Sequence, residues 1–289
     1  SITKILYRPF DIRWIFYHYE MIERSRKEVM LHMMQENLGL ITVRQVAEGL
    51  FNHTFVTNSI VESRLTLSNK GISFLFPLYI YPDTGKRNLF SHSEGLKKSQ
   101  PNISPKLFTA LSEVYKKEPT PEEIFFYIYA ALYSNTYRTK YADFLKIDFP
   151  RIPFTKDYKL FSKMAGFGKS LVDLHLLKSI EIDQPIAKFQ GKGDERVEKL
   201  RYDEKEKRVY INESQYFEGI TKEIWEYQIG GYQVCNKWLK DRKKKLLSLD
   251  DIKHYCKIVT SLQKTTKVQK AIDDIYPEVE KETVAIENR

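Results

Sequence analysis

Residues 38–82 read LGLITVRQVAEGLFNHTFVTNSIVESRLTLSNKGISFLFPLYIYP. Apolar and polar residues alternate over several short runs, the period-2 pattern of half-buried strands. Asn69-Lys70-Gly71 supplies a turn between two of them. The block carries Arg44, Asn58 and Arg64, with Gln45, Asn52 and His53 close by. Arg can pair with guanine through two hydrogen bonds, and Asn with adenine, each good pair giving about 1–3 kcal/mol of discrimination. Strand-borne Arg44, Asn58 and Arg64 are therefore the candidates for reading base edges.

Outward from this block, Ile2–Tyr19 reads as strand, turn, strand around Pro9-Phe10-Asp11, with Asp11 and Arg13 suited to a local ion pair. Glu23–Gln35 has Val29, Met30 and Met33 at helical spacing, and Gly39 follows as a stop. Pro82–Pro105 is rich in Gly, Ser, Asn and charge, the composition of a loop. Ser104-Pro105 and Thr120-Pro121-Glu122-Glu123 are helix starts, with Pro at the first position. Apolar spacing predicts helices to about Lys117 and Tyr137, then over Thr139–Leu145 and Asp157–Leu177. The prolines of Asp148-Phe149-Pro150-Arg151-Ile152-Pro153 exclude helix there. Val197–Tyr202 and Lys207–Ile211 form a hairpin about Asp203–Glu206, and Thr221–Ile229 reads as a strand before Gly230-Gly231. Ser248 caps a last helix expected to run to about Leu262, with a charged, thinly apolar tail from Thr265 expected to fray. The predicted class is α+β, a mixed α/β chain. It has a β-rich lobe over 1–100, a helical region over 101–185, and a hairpin, basic segment and C-terminal helix over 186–289.

Lys and Arg number 47 against 38 Asp and Glu, a net charge of +9, which favours an anionic partner. The 42% hydrophobic content argues against global disorder. No apolar run approaches the roughly 18 residues that cross a membrane. Cys235 and Cys256 form no disulfide framework, and a reducing cytoplasm fits them. The polar, basic break Ser134–Tyr141 suits phosphate contacts through Arg138 and Lys140. A second basic cluster supplies Lys237, Arg242 and Lys244 for the same role.

Motifs for chemistry fail one by one. Met164–Ser170 ends in Gly-Lys-Ser, but Lys163 stands where a phosphate loop needs its first Gly, and no strand precedes it. Pro82-Asp83 lacks the acid-x-Lys partner of a metal-dependent nuclease, and Asp203-Glu204-Lys205 lies in a charged turn. Six histidines show no metal-ligand spacing. There is no Gly-x-Ser-x-Gly elbow and no Asn/Asp-Pro-Pro-Tyr segment for gripping a flipped base. No catalytic residue, metal or cofactor is expected in this chain.

Several segments resemble the C-terminal target-recognition domain of type ISP restriction–modification enzymes, single polypeptides that join nuclease, ATP-driven motor, adenine methyltransferase and recognition domain. They are Tyr7–Trp14 (YRPFDIRW), Asn37–Leu40 with Arg44-Gln45, Phe76–Tyr81, Tyr137–Tyr141 with Asp148–Pro153, Gly230–Val234 with Lys237–Arg242, and Leu249–Ile252. They occur in the family's order and span about Tyr7–Leu262. The resemblance implies a domain that grips duplex DNA, reads an asymmetric target and presents its adenine to a methyltransferase domain that flips it. It places S-adenosylmethionine, ATP and Mg in fused domains outside this sequence, so the chain is either a piece of a larger enzyme or a free-standing subunit. It also implies the adjoining methyltransferase and motor/nuclease domains as partners, beside double-stranded DNA. The rival is an interaction or scaffold domain that docks on a methyltransferase or helicase without reading bases, its basic surface incidental.

Overall fold

The N-terminal hairpin forms as expected. β1 (Ile2–Arg8) and β2 (Asp11–Phe16) pair antiparallel, Leu6 opposite Ile12 and Arg8 opposite Asp11. The computed structural model describes residues 2–18, 20–47, 49–67, 72–82 and 99–285, and the expected turn at Asn69-Lys70-Gly71 lies outside them, as do Asp83 and His92. Where one long helix is expected over 23–35, the chain makes α1 (Lys27–Met30) and a 3-10 turn, Leu31–Met34. Arg26 before α1 is left-handed (φ 47°) and gives no side-chain cap, and Asn37 closes the turn by donating to the His32 carbonyl. In the next sheet β3 (Gly39–Thr42) lies between β4 (Phe55–Thr57) and β6 (Phe74–Pro77), while β5 (Ile60–Val61) pairs parallel with β1. β7 (Tyr79–Ile80) and β8 (Gln100–Pro101) make a short pair. Alternation predicts one solvated face, yet all of β4 is buried, because Val56 enters one hydrophobic core while Phe55, on the opposite face, enters another and stacks on His175 with ring centroids 5.3 Å apart.

The helical middle follows its caps. α2 (Pro105–Tyr115) opens at Ser104 with Pro105 at its first position, although the Ser104 side chain makes no capping bond. α3 (Pro121–Tyr133) opens on a capping box, with Glu123 N–H donating to Thr120 Oγ1 at 3.1 Å and Thr120 N–H to Glu123 at 2.8 Å. It ends at Ser134, which caps α4 (Asn135–Lys140), and α5 (Ala142–Ile147) follows. α6 (Tyr158–His175) contains the Gly-Lys-Ser segment as continuous helix. A Cβ on Gly168 would lie 1.8 Å from the Phe126 carbonyl oxygen, so that glycine serves the close crossing of α3 and α6.

Beyond residue 186, β9 (Lys188–Gln190), β10 (Arg201–Asp203), β11 (Arg208–Tyr210) and β12 (Tyr216–Glu218) make a sheet of order β10-β11-β12-β9, with the expected hairpin between β10 and β11. The strand expected over 221–229 is instead α7 (Lys222–Trp225) and the short β13 (Gln228–Ile229), because one helical turn buries Ile224. β14 (Tyr232–Gln233) returns to pair with β13 and leads into α8 (Val234–Lys240).

The largest correction concerns the last helix. α9 (Leu249–Val279) runs 31 residues, about 46 Å at 1.5 Å per residue, far past Leu262. The tail expected to fray is held by buried polar residues that hydropathy undervalues. Gln269 donates to the Tyr133 carbonyl at 3.0 Å and accepts from the Tyr227 hydroxyl at 3.0 Å. His175 Nε2 lies 3.0 Å from Thr265 Oγ1, and Ile272, Tyr276 and Val279 are fully buried. α9 threads both main cores. One gathers α3, α6 and the end of α9, and the other joins Leu6, Phe10, Ile41 and Phe55 to Val209, Phe217, Trp238 and Tyr255. The second core therefore unites residues from opposite ends of the sequence.

Candidate nucleic-acid interface

The site is organised by a glycine turn. Gly230, at φ 61°, packs so closely that a Cβ would stand 1.7 Å from the Thr66 carbonyl oxygen. Gly230 N–H donates to the Asn52 carbonyl and Gly231 N–H to the Thr66 carbonyl, both at 2.9 Å. The turn thereby delivers Tyr232 to the loop after β5, where its hydroxyl donates to the carbonyls of Leu67 at 2.7 Å and Arg64 at 3.4 Å. Glu62 opens the same loop. Its carboxylate accepts from the Arg8 guanidinium and from the Arg64 N–H, the latter at 3.0 Å.

Cations and rings interleave around these anchors. The Arg8 guanidinium lies 4.0 Å from the Tyr7 ring centre and 5.3 Å from that of Tyr232. Arg13 covers Tyr7 at 3.7 Å and pairs with Asp11 at 2.8 Å, as expected, and Lys237 lies 5.6 Å from the Tyr232 ring. Each cation–ring contact adds about 0.5–1 kcal/mol at an exposed site and fixes the direction of the charge. Burial, above all, raises the Tyr232 phenol above its ordinary pKa, so it keeps its proton and donates at neutral pH.

The base-reading candidates do not share one surface strand. Arg44, Asn58 and Arg64 follow β3, β4 and β5 rather than lying within them, because each strand ends two or three residues earlier than the alternation suggests, or in Asn58's case one. Arg64 is exposed within the cation–aromatic cluster. Arg44 instead pairs with Asp148 at 3.1 Å, and a Phe149 backbone bond and Arg44 hold that carboxyl below its usual range. Asn58 lines a cavity of about 530 Å³ that also presents Glu36, Glu122 and Asp173, an acidic setting unlike that of Arg64.

The backbone candidates also divide. Lys244, at φ 67°, is exposed in a turn held by its N–H on the Val197 carbonyl at 2.7 Å, and the Lys243, Lys244 and Lys245 side chains make no ion pair among the described residues. Lys237 pairs with Asp241 at 2.5 Å. Arg242 is drawn inward, 3.4 Å from the Trp238 ring centre and bonded to Asp11 at 3.1 Å and Asp251 at 3.3 Å. Arg138 donates from Nε to the Leu132 carbonyl at 2.6 Å and lies 4.8 Å from the Tyr133 ring centre. Lys140 pairs with Glu280 at the end of α9. Contacts run from Arg64 through Tyr232, Arg8, Tyr7 and Arg13 to Asp241 and its partner Lys237, whereas Arg138 and Lys140 belong to the α4–α9 junction. Arg8 is absent from the candidates named in the sequence, and Arg13 enters them only through its pair with Asp11, although two cations close to one tyrosine, Tyr7, are a legible signal.

Burial pushes the Cys235 thiol up to about 12 and that of Cys256 to about 11. Among the described residues no His, Cys, Asp and Glu group could hold a metal ion, and no helix is long and apolar enough to cross a membrane.

A family model of the Type ISP C-terminal specificity domain matches residues 1–271. The chain belongs to that family. Among solved structures, the specificity domain is similar to part of the ATP-dependent Type ISP restriction-modification enzyme LlaBIII bound to DNA, at 21% identity and TM-score 0.73 over 94% of this chain. It is similar to a nuclease-deletion mutant of the Type ISP enzyme LlaGI in complex with a DNA substrate mimic, at 20% and 0.67 over 93%, and to a DrdV–DNA complex, at 22% and 0.71 over 98%. It spans 18%, 20% and 29% of those three chains. A comparison with curated proteins finds no match.

Proposed function

We propose that this specificity domain reads a target in duplex DNA for a restriction–modification enzyme and presents the target adenine to a methyltransferase domain. The observation that carries the reading is Arg64. Its backbone is held from both sides while the residue itself is exposed, and the cluster around it carries the cations Arg8, Arg13 and Lys237. Arg64 supplies base readout, and Lys237 and Lys244 hold phosphates. Arg44 and Asn58 are further candidates, on other surfaces. The structural neighbours are DNA complexes of much longer chains, which supports the same reading. S-adenosylmethionine, ATP and Mg would act in adjoining methyltransferase and motor domains, in the cytoplasm.

Titration with mixed-sequence duplex DNA at two salt concentrations tests the proposal. Log affinity should fall linearly with log salt, by about 0.9 per phosphate neutralised. A scaffold that docks on its neighbours without reading DNA would show no salt-sensitive binding even at low salt, and that result would sink the proposal.

A further inference from the structure

Base reading demands that the reading group be held within about 0.5 Å of its place by a supporting shell. Arg64 lies in a loop, the least favourable setting for such accuracy, yet its own N–H and carbonyl are both tied. Its N–H donates to Glu62 Oε2 at 3.0 Å, and its carbonyl accepts from Leu67 N–H at 3.3 Å and from the Tyr232 hydroxyl at 3.4 Å. Ser63 before it accepts from Ser73 N–H at 2.8 Å, and Leu65 after it is fully buried. The Glu62 carboxylate is itself fixed by Arg8 and by Ser63 Oγ at 3.2 Å. These anchors come from β1, from the loop itself and from β14, the last more than 160 positions away in sequence. A solvated loop has no need of a carboxylate on one side and a remote phenol on the other.

We infer that Glu62 and Tyr232 are positioning residues for sequence discrimination, holding the Arg64 backbone so that its guanidinium meets one base pair in a fixed register. This inference rests on the reading of Arg64 as a base reader. Glu62 contributes through its charge-assisted bonds to Arg8 and to Arg64 N–H, and Tyr232 by clamping the far end of the loop. Glu62 is also an anion beside a surface meant for phosphates. Retaining it there costs general affinity, which makes sense if it serves accuracy.

The test uses the full-length protein and a randomised duplex DNA pool, sequenced after selection, with thermal unfolding measured in parallel. Arg64→Ala should erase the preference at one base pair by about tenfold or more. Glu62→Gln and Tyr232→Phe should relax preference at that same base pair, and Glu62→Gln should tighten binding to the unselected pool, since a negative charge is gone. A merely structural role would instead lower affinity for every sequence in proportion to lost folded protein. Unchanged preference in both positioning variants, with Arg64→Ala altered, overturns this inference alone. Unchanged preference in Arg64→Ala overturns the reading beneath it. Should Glu62→Gln fail to fold, Tyr232→Phe, which keeps the ring over Arg8, decides the matter.

Discussion

The guanidinium of Arg242 lies 3.1 Å from the carboxylate of Asp11, joining residues 231 positions apart. Asp11 is almost wholly buried, and a second bond from Arg242 reaches Asp251, the acidic partner of Ser248 in the capping box of α9. This basic side chain therefore fastens the N-terminal hairpin to the start of the long helix. Removing one member of a buried pair leaves an uncompensated charge, which typically costs 3–5 kcal/mol. Asp11 keeps Arg13, so Arg242→Ala should lose about 3 kcal/mol in urea unfolding, with little change in the salt slope of DNA binding. A flattened slope at unchanged stability would return Arg242 to the phosphate contacts.

Lys244 is expected to behave in the opposite way. Its backbone holds the turn, but its side chain is exposed and makes no ion pair among the described residues. Lys244→Gln should shift stability by no more than about 0.5 kcal/mol. It should lower the slope of log affinity against log salt by about 0.9, equally for all sequences. Salt titration of the variant beside the parent protein measures this, and an unchanged slope rules the residue out.

The contrast between Arg242 and Lys244 shows what the sequence could say. Both stand in one run of cations, and nothing local distinguishes them. Their fates differ because Asp11, from the other end of the chain, reaches one and not the other. Signals that act over three or four residues were legible, such as the Thr120–Glu123 and Ser248–Asp251 capping boxes and the β1–β2 turn. The second half of α9 was not, since Thr265 and Gln269 look like a solvated face until His175, Tyr133 and Tyr227 are brought against them. The proposed Arg64 site is half legible: the sequence offers its cation as a candidate, but its anchors come from strands distant in sequence.

His175 gives the fold an acid-sensitive centre. Thr265 Oγ1 donates to the Ser261 carbonyl at 2.8 Å, so it accepts from His175 Nε2–H, and Nδ1 accepts from the Tyr129 hydroxyl at 2.6 Å. The ring is neutral in this arrangement. Burial first, and the Arg138 charge second, lower its pKa to about 3, and the same causes bring His53 to about 4. Below pH 6.5 the unfolded chain takes up these protons and the folded chain does not. Stability is therefore complete above about pH 6.5 and is lost as pH falls toward 3, on the order of 4 kcal/mol from His175 by the end of that window. Denaturant unfolding from pH 7 to pH 4 should show the decline, and His175→Asn should make it shallower. A stability flat across that range would contradict the buried neutral ring.

Arg138 connects that centre to the question of DNA. Its Nε donates to the Leu132 carbonyl near the end of α3, its charge lowers both buried histidines, and it lines a cavity of about 580 Å³ with Asn52, Asn135 and Gln269. Two roles make opposite forecasts for Arg138→Ala. A phosphate contact would flatten the salt slope by about 0.9 and leave the fold intact. A structural cation would leave the Leu132 carbonyl without this donor, costing about 1–3 kcal/mol at neutral pH. It would also let both histidine pKa values rise toward 6.5, so the further loss on acidification would be smaller than in the parent protein. The geometry favours the second outcome, because the guanidinium is half-buried and already engaged by a carbonyl and a ring. Unfolding at pH 7 and pH 5, beside salt titration of DNA binding, distinguishes them: lower stability with a weaker acid response identifies the structural role, and a reduced salt slope at parental stability refutes it.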